Sequence, residues 1–568
     1  MKLKFTTKLI LLGILILAVL FRFYNLNWDS GHYLHPDERA ILMTITKLAY
    51  PHSLFDFFSP HSAWNTNFFA YGSFPFYLLK IVSDLISGTD PLLTQYPALI
   101  GRFISALADV GTILILLFLG RKLFSTFVGL TASFFYTISV LPIQLSHFFA
   151  VDTLLTFFIL SVLYALVLFY EKPSAKKAAI TGMLFGFALA TKISALVLVV
   201  PIGAALMTDF LLIYLKNPHR PRIWIHHVPI LIKHLVTYGI IIAGATVISY
   251  FILEPYAFID FQDFWIQTQQ QAAMTRDAFT FPYTLQYVGK IPYLYEAKNI
   301  FFFGMGPLLA TLSFVGTVYF LIAAFKKEKT GRWAKEVIIS VFFLCYFFIV
   351  GRFAVGWIRY MLPVYPLLAL FAAFFVDKIF RNFQLSEKIK TIIILYGGVI
   401  LLIWPLSFMH IYTRPNTRVE ATTWILNNIQ SGKILAQEHW DDPVPMSVGN
   451  KYRYVVLPLY DPDTPEKWQS INLTLSQTDY IIIASNRLYT PLQKLTNCQS
   501  LPPGKCYTRT AEYYRDLFSG ALGFKKVAEF TNYPTVPIFN IPINDQWADE
   551  SFTVLDHPKI MIFQRINP

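Results

Sequence analysis

The sequence predicts a polytopic α-helical membrane protein with about eleven transmembrane helices and a C-terminal α/β domain outside the membrane. Three observations predict it. Of the 568 residues, 55% are hydrophobic and only 14% are charged, too apolar a balance for a chain that must cover a soluble surface with charge. Apolar runs near the roughly 20 residues needed to cross the hydrocarbon core recur as far as residue 410 and then stop. Lys and Arg gather in every second connecting segment, as the positive-inside rule expects of cytoplasmic loops. The formal charge of +13 therefore points to membrane orientation and not to nucleic acid.

The first apolar run, 8–23, follows Lys2, Lys4 and Lys8. It ends in Phe21, Arg22, Phe23 and Tyr24 without a small-residue cleavage site, so it reads as an uncleaved signal anchor with a cytoplasmic N-terminus. Further spans fall near 98–120, 123–145, 153–170, 178–191, 193–214, 236–253, 302–325, 337–351, 360–377 and 391–410. The runs at 178–191 and 337–351 are short, which tilting or flanking residues would accommodate. This threading puts Arg121, Lys122, Arg220, Arg222, Lys327 and Lys329 in the cytoplasm. Two long segments, 24–97 and 254–301, and everything after Ile411 then lie outside.

Long loops in a compact protein are usually functional. In the first, Pro36-Asp37-Glu38-Arg39 precedes Ile41, Leu42, Ile45, Leu48 and Ala49, the pattern of an amphipathic helix on the outer membrane surface. Beyond 411 a helical stretch at 418–429 alternates with strand-like stretches at 433–436, 454–459, 480–484 and 560–563, giving a small α/β domain. Cys498 and Cys506 flank a Pro-Pro-Gly turn, where they either pair in an oxidising compartment or stay free.

Ionisable residues in and beside the apolar runs mark candidate chemistry. Asp37 and Glu38 either complement a helix dipole or supply reacting carboxylates. Asp152 either caps the fourth span or faces a site. Lys192 and Arg359, on the outer side, run against the charge trend and read as snorkelling or ion-paired side chains unless they hold an anion. Arg102 and Asp109 share one face of the second span and read as a structural pair. Taken together, outer carboxylates and cations suit a reaction on a lipid-anchored phosphate: a carboxylate deprotonates an acceptor hydroxyl and a cation stabilises the departing phosphate.

Six short motifs follow one another along the membrane region: His35-Pro36-Asp37-Glu38, Tyr71-Gly72-Ser73-Phe74-Pro75-Phe76-Tyr77, Val151-Asp152-Thr153-Leu154-Leu155, Ala190-Thr191-Lys192, Glu254-Pro255-Tyr256, and Arg359-Tyr360-Met361-Leu362-Pro363-Val364-Tyr365-Pro366. In order and topological side they resemble the GT-C membrane glycosyltransferases, in particular the protein mannosyltransferase and aminoarabinose transferase group. The resemblance covers 1–410 and implies an inverting transfer of a sugar from a polyprenyl-phosphate donor to a hydroxyl or amine acceptor on a protein, glycan or lipid. It implies Asp37 as general base supported by Glu38, and Asp152 with His147 shaping the substrate site. Lys192, Arg359 and Tyr360 would hold the donor phosphate, with Arg352 in the place where many relatives carry a Lys. Some relatives bind a divalent ion, so a metal stays open as a cofactor, although no compact ligand cluster predicts one. The expected location is the plasma membrane, with 411–568 as an extracytoplasmic domain. There Thr417-Arg418-Val419-Glu420-Ala421 and Glu438-His439-Trp440-Asp441 are similar to outer domains of prokaryotic relatives without supplying a role. A multi-span transporter or lipid flippase is the alternative, but no repeated halves are visible; a partner-recruiting scaffold would leave the acids and cations unexplained.

Overall fold

The computed structural model describes residues 5–87, 97–216, 225–326, 331–383, 386–446 and 449–566. Lys2, Lys4, Arg220, Arg222, Lys327 and Lys329 lie outside these residues. Among the described residues, 7 helices are long and apolar enough to cross a membrane, and Thr126–Thr137 with Val140–Ser146, bent by 61°, makes up to 8. The three other expected spans are helical as well: Phe5–Phe23, Ala175–Thr191, and a 3-10 segment Ile193–Leu198 leading into Val199–Lys216. The expected membrane-surface helix is Pro36–Ile45, but its apolar residues Ile41, Leu42 and Ile45 are buried in the core of the protein instead of being turned outward.

Position in the bundle follows composition. Asp152–Glu171 is apolar nearly all round and lies at the centre, whereas Val228–Leu253 turns Ile240, Val247, Ile248 and Ile252 outward, where lipid would cover them. Ala175–Thr191 packs closely on Val228–Leu253 because Gly182 and Gly186 form a small-residue notch. A Cβ on Gly182 would overlap the Ile242 carbonyl, and one on Gly186 the Ser249 hydroxyl. Thr246 Oγ1 donates to the Gly182 carbonyl across this contact (3.0 Å).

The bent span explains a pair that the sequence reading assigned differently. Arg22 donates to the Tyr136 and Thr137 carbonyls at the bend (3.3 and 2.9 Å) and to Asp109 Oδ2 (2.5 Å). Asp109 also accepts from the Tyr136 hydroxyl (2.5 Å). Asp109 is thus the counter-ion of Arg22 and not of Arg102, because helix packing brings the first span and the bend against its face of the second.

Beyond the bundle a five-stranded sheet has the order β2-β1-β3-β7-β4, with β1 Ile434–Glu438, β2 Arg453–Leu457, β3 Tyr480–Ile483, β4 Phe524–Phe530 and β7 Ile560–Arg565. Strand β1 runs parallel to β2 and β3, and β7 runs antiparallel to β3 and β4. A separate hairpin pairs β5 Thr535–Val536 with β6 Ile541–Pro542. All four β3 residues are buried, as a strand covered on both faces requires. Ala421 and Ile425 of helix Thr417–Asn428 pack on one face; Trp468 and Tyr514, from helices Pro465–Gln477 and Thr508–Ser519, pack on the other. Cys498 and Cys506 are disulfide-bonded, with Cα atoms 5.2 Å apart.

The α/β region does not sit apart from the helices. Phe552, Val554 and Leu555 join the core of the bundle. Next to them His557 lies between Asp556 (2.5 Å) and Asp545 (2.8 Å), and Asp556 also accepts from Gln144 Nε2 (3.0 Å) and the Tyr412 hydroxyl (2.9 Å). Burial alone would push the His557 imidazolium down, but the two carboxylates overcome it and raise it to about 10.

Candidate active site

A cavity of about 580 Å³ opens where one end of the bundle meets the α/β region. One wall is the start of helix Pro36–Ile45. His35 caps that helix, its Nδ1 accepting from the Glu38 amide (3.4 Å), and Pro36 fixes the first turn. Successive helical residues are about 100° apart, so Asp37 and Glu38 part company. Asp37 lines the cavity; Glu38 turns inward.

Asp37 forms an ion pair with Arg359 Nη1. Arg359 Nε lies 3.9 Å from Asp152 Oδ2, and the other Asp152 oxygen accepts from Lys192 Nζ at 2.8 Å. Lys192 sits over the Tyr360 ring, 4.6 Å from its centroid, and 5.9 Å from that of Tyr71. Asp37, Arg359 and Lys192, from three distant segments, line the floor of one cavity, and Asp152, buried beneath it, links the two cations.

The remaining motif residues brace this floor. Lys192 occupies the break between Ala175–Thr191 and Ile193–Leu198, and the Gly72 amide donates to the Thr191 carbonyl just before it (3.1 Å). Gly72 cannot be larger, because a Cβ there would overlap the Ala190 carbonyl. The Ser73 hydroxyl donates to Glu254 Oε1 (3.0 Å), and the Ser73 amide donates to Oε2. The Tyr-Gly-Ser, Ala-Thr-Lys and Glu-Pro-Tyr motifs are thus one packed unit that fixes where the Lys192 backbone lies.

Three expected site residues are placed differently. Glu38 accepts from Arg102 (2.9 and 2.6 Å) and from the Phe149 amide (3.0 Å), and Arg102 also reaches Asp29 (3.0 and 2.7 Å). Glu38, Arg102 and Asp29 are buried at 0–1% exposure, so Glu38 does not reach the cavity and instead anchors the helix it shares with Asp37. His147 is fully buried: its ring nitrogens face the Ile143 and Tyr24 carbonyls (2.8 and 2.9 Å) and its ring stacks on Tyr412 at 4.0 Å. Arg352 is exposed and does not line the cavity, because the turn after Gly351 carries it outward.

The α/β region supplies a further wall that the sequence did not disclose. Trp440, Asp441 and Asp442 follow β1, Arg487 follows β3, and Glu550 and Ser551 come from the segment that returns to the bundle. Arg39 pairs with Asp442 (2.8 Å), Arg487 with Glu550 (2.6 Å) and Arg418 with Asp441 (3.1 Å), while Gln286 Nε2 donates to Glu550 Oε2 (2.6 Å). Burial pushes the Glu550 carboxyl up to about 7 against the pull of Arg487. Trp440 adopts φ +72°, a left-handed backbone that costs a bulky residue on the order of 1–3 kcal/mol and has to be held by its surroundings. The only advance signal was Glu438-His439-Trp440-Asp441, which carried no role.

Among the described residues no group of three or more His, Cys, Asp or Glu is placed to hold a metal ion. Asp37 and Asp152 each carry a basic side chain on one oxygen, so a metal's positive charge would meet two cations already in place. These residues do not fit a divalent cation, and no step is routed through one.

Residues 91–250 match the family model described as dolichyl-phosphate-mannose-protein mannosyltransferase. The fold is similar to that of the archaeal oligosaccharyltransferase AglB from Archaeoglobus fulgidus, in complex with an inhibitory peptide and a dolichol-phosphate. That match has 13% identity and a TM-score of 0.50, over 99% of this chain and 88% of that one. ArnT from Cupriavidus metallidurans, bound to undecaprenyl phosphate, aligns at 10% identity and a TM-score of 0.41, over 99% and 98% of the two chains. No curated protein matches by sequence. The glycosyltransferase reading is supported over a transporter, and the chain has the GT-C fold that its motifs imply, with an α/β region closing the cavity.

Proposed function

We propose that this protein is an inverting glycosyltransferase of the outer face of the plasma membrane. It moves a sugar from a polyprenyl-phosphate donor to a hydroxyl or amine acceptor on a protein, glycan or lipid. Residues 1–410 form the catalytic membrane domain and 411–568 the extracytoplasmic domain. Charge asymmetry supports this orientation, and so does the disulfide, which an oxidising compartment preserves.

The observation that carries the reading is the Asp37–Arg359 pair beside Lys192 and Asp152. Asp37 is the base: it takes the acceptor proton as the acceptor oxygen or nitrogen bonds to the anomeric carbon. The bond from that carbon to the phosphate oxygen breaks, its electrons stay on the phosphate, and Arg359 and Lys192 meet the added charge. Tyr360 holds the Lys192 ammonium over its ring while the anion comes and goes. The Asp37–Arg359 pair has to open first. The donor phosphate competes with Asp37 for the guanidinium, so donor binding itself frees the base. Asp152 keeps Lys192 and Arg359 on one side of the cavity.

The test is transfer by the purified protein from a panel of polyprenyl-phosphate sugars, compared with Asp37→Asn. The amide cannot accept a proton, so a loss of roughly 10²–10⁴-fold in kcat is expected. Transfer at the wild-type rate by the variant removes Asp37 as the base.

A further inference from the structure

One side of the cavity carries an aromatic wall that these roles leave unused. Tyr283 stacks on Phe281 (ring centroids 5.4 Å apart, 5° between planes) and faces Trp357 at 6.2 Å and 27°. On its other side Trp440 lies 6.0 Å away. Trp357 stands edge-on to Tyr360, 5.4 Å away, which joins the wall to the Lys192 floor. The rings come from three segments far apart in sequence, the loop 254–301, the turn before Ile358 and the connection after β1, and all three line the cavity.

The wall is built and not incidental. Trp440 is held in its left-handed backbone by Arg487, whose Nη1 donates to the Trp440 carbonyl (3.2 Å), and by Asp441, which is fixed by Arg418 and the Ser485 hydroxyl. Even so, 44% of Trp440 is exposed. Beside the rings Arg487, Glu550 and Gln286 present planar guanidinium, carboxyl and amide groups. A pyranose asks for this combination: its C–H face packs on a ring, and its adjacent hydroxyls match planar two-pronged donors and acceptors. Trp440 and Arg487 also follow the carboxyl ends of β1 and β3, two parallel neighbours, where open α/β sheets place their ligands.

We propose that Trp440, Tyr283 and Trp357, with Arg487, Glu550 and Gln286, form a pyranose subsite through which the α/β region selects the sugar. The sugar is either the donor's or a glycan acceptor's. The proposal rests on the glycosyl-transfer reading and deepens it.

The test uses the full chain in lipid nanodiscs carrying Asp37→Asn, so that substrates bind without turnover. Affinities are measured for polyprenyl phosphate, polyprenyl-phosphate-mannose, polyprenyl-phosphate-glucose and free mannobiose, with and without Trp440→Ala or Trp440→Phe. The expected result is that at least one sugar-bearing lipid or the disaccharide binds tenfold or more weakly with Trp440→Ala and recovers with Trp440→Phe, while bare polyprenyl phosphate is unaffected. A loss confined to the sugar lipids assigns the ring to the donor, and a loss confined to mannobiose assigns it to the acceptor. Equal losses for bare and sugar-bearing lipid, or no loss for any probe, overturn the subsite. Full transfer by the Asp37→Asn single variant would overturn the underlying reading instead, which keeps the two failures apart.

Discussion

Asp37 and Glu38 are neighbours in one helical turn, both acidic and both paired with an arginine, yet they serve two different ionic clusters. Glu38, Arg102 and Asp29 are closed off from solvent and fully hydrogen-bonded, a knot that ties the first loop to the second span. Asp37, Arg359, Asp152 and Lys192 are looser, with a 3.9 Å gap between Arg359 and Asp152, and all but the buried Asp152 line the cavity. The first cluster is saturated and buried; the second is under-saturated and, through Asp37, Arg359 and Lys192, reachable from the cavity, as the proposed donor binding requires.

Four changes sharpen or break this contrast. Asp37→Asn should cost roughly 10²–10⁴-fold in kcat and leave the thermal midpoint near wild type, because its cluster does not hold the fold. Arg102→Met leaves two buried carboxylates unpaired and should cost about 3–5 kcal/mol of stability, read as a lower melting midpoint and poor recovery of folded protein. If the two variants traded phenotypes, the division between the clusters would be wrong. The third change tests a buried cluster elsewhere. The folded-state imidazolium of His557 is raised above the ordinary value of 6.5, so its stabilisation is complete below that value and drains as pH rises toward about 10. Wild-type stability should therefore fall over that interval by at most about 1.4 kcal/mol per pH unit, read as a falling melting midpoint, and His557→Gln should flatten the slope. The smallest effect is expected for Arg359→Lys. It keeps the charge but loses the two-pronged geometry, and should raise the donor KM about tenfold with little change in stability.

The convergent part of the site was legible because its residues fall in an ordered set of motifs and include cations on the side that should lack them. Asp37, Asp152, Lys192, Arg359 and Tyr360 all come together. What failed was partner choice. Arg102 and Asp109 share a helical face, but Arg22 reaches Asp109 from another span, and only packing decides that. His147 looked available and is locked between two carbonyls. Strand β4 escaped notice because a bulge between Lys526 and Ala528 breaks its alternation. Trp440, Arg487 and Glu550 reach the cavity from strand ends and a returning segment, which no periodicity marks.

That returning segment has a consequence for manufacture. The Tyr287 and Tyr295 hydroxyls both donate to Asp549 (3.0 and 2.8 Å), Gln144 Nε2 donates to the Phe552 carbonyl (2.8 Å), and Glu550 completes the cavity wall. Residues made early wait for partners made hundreds of peptide bonds later. A chain halted before Asp549 would possess Asp37, Lys192 and Arg359 and still lack a closed pocket. Synthesis therefore carries its own safety catch: the nascent protein cannot complete this cavity until the segment from Asp549 to Leu555 has been translated.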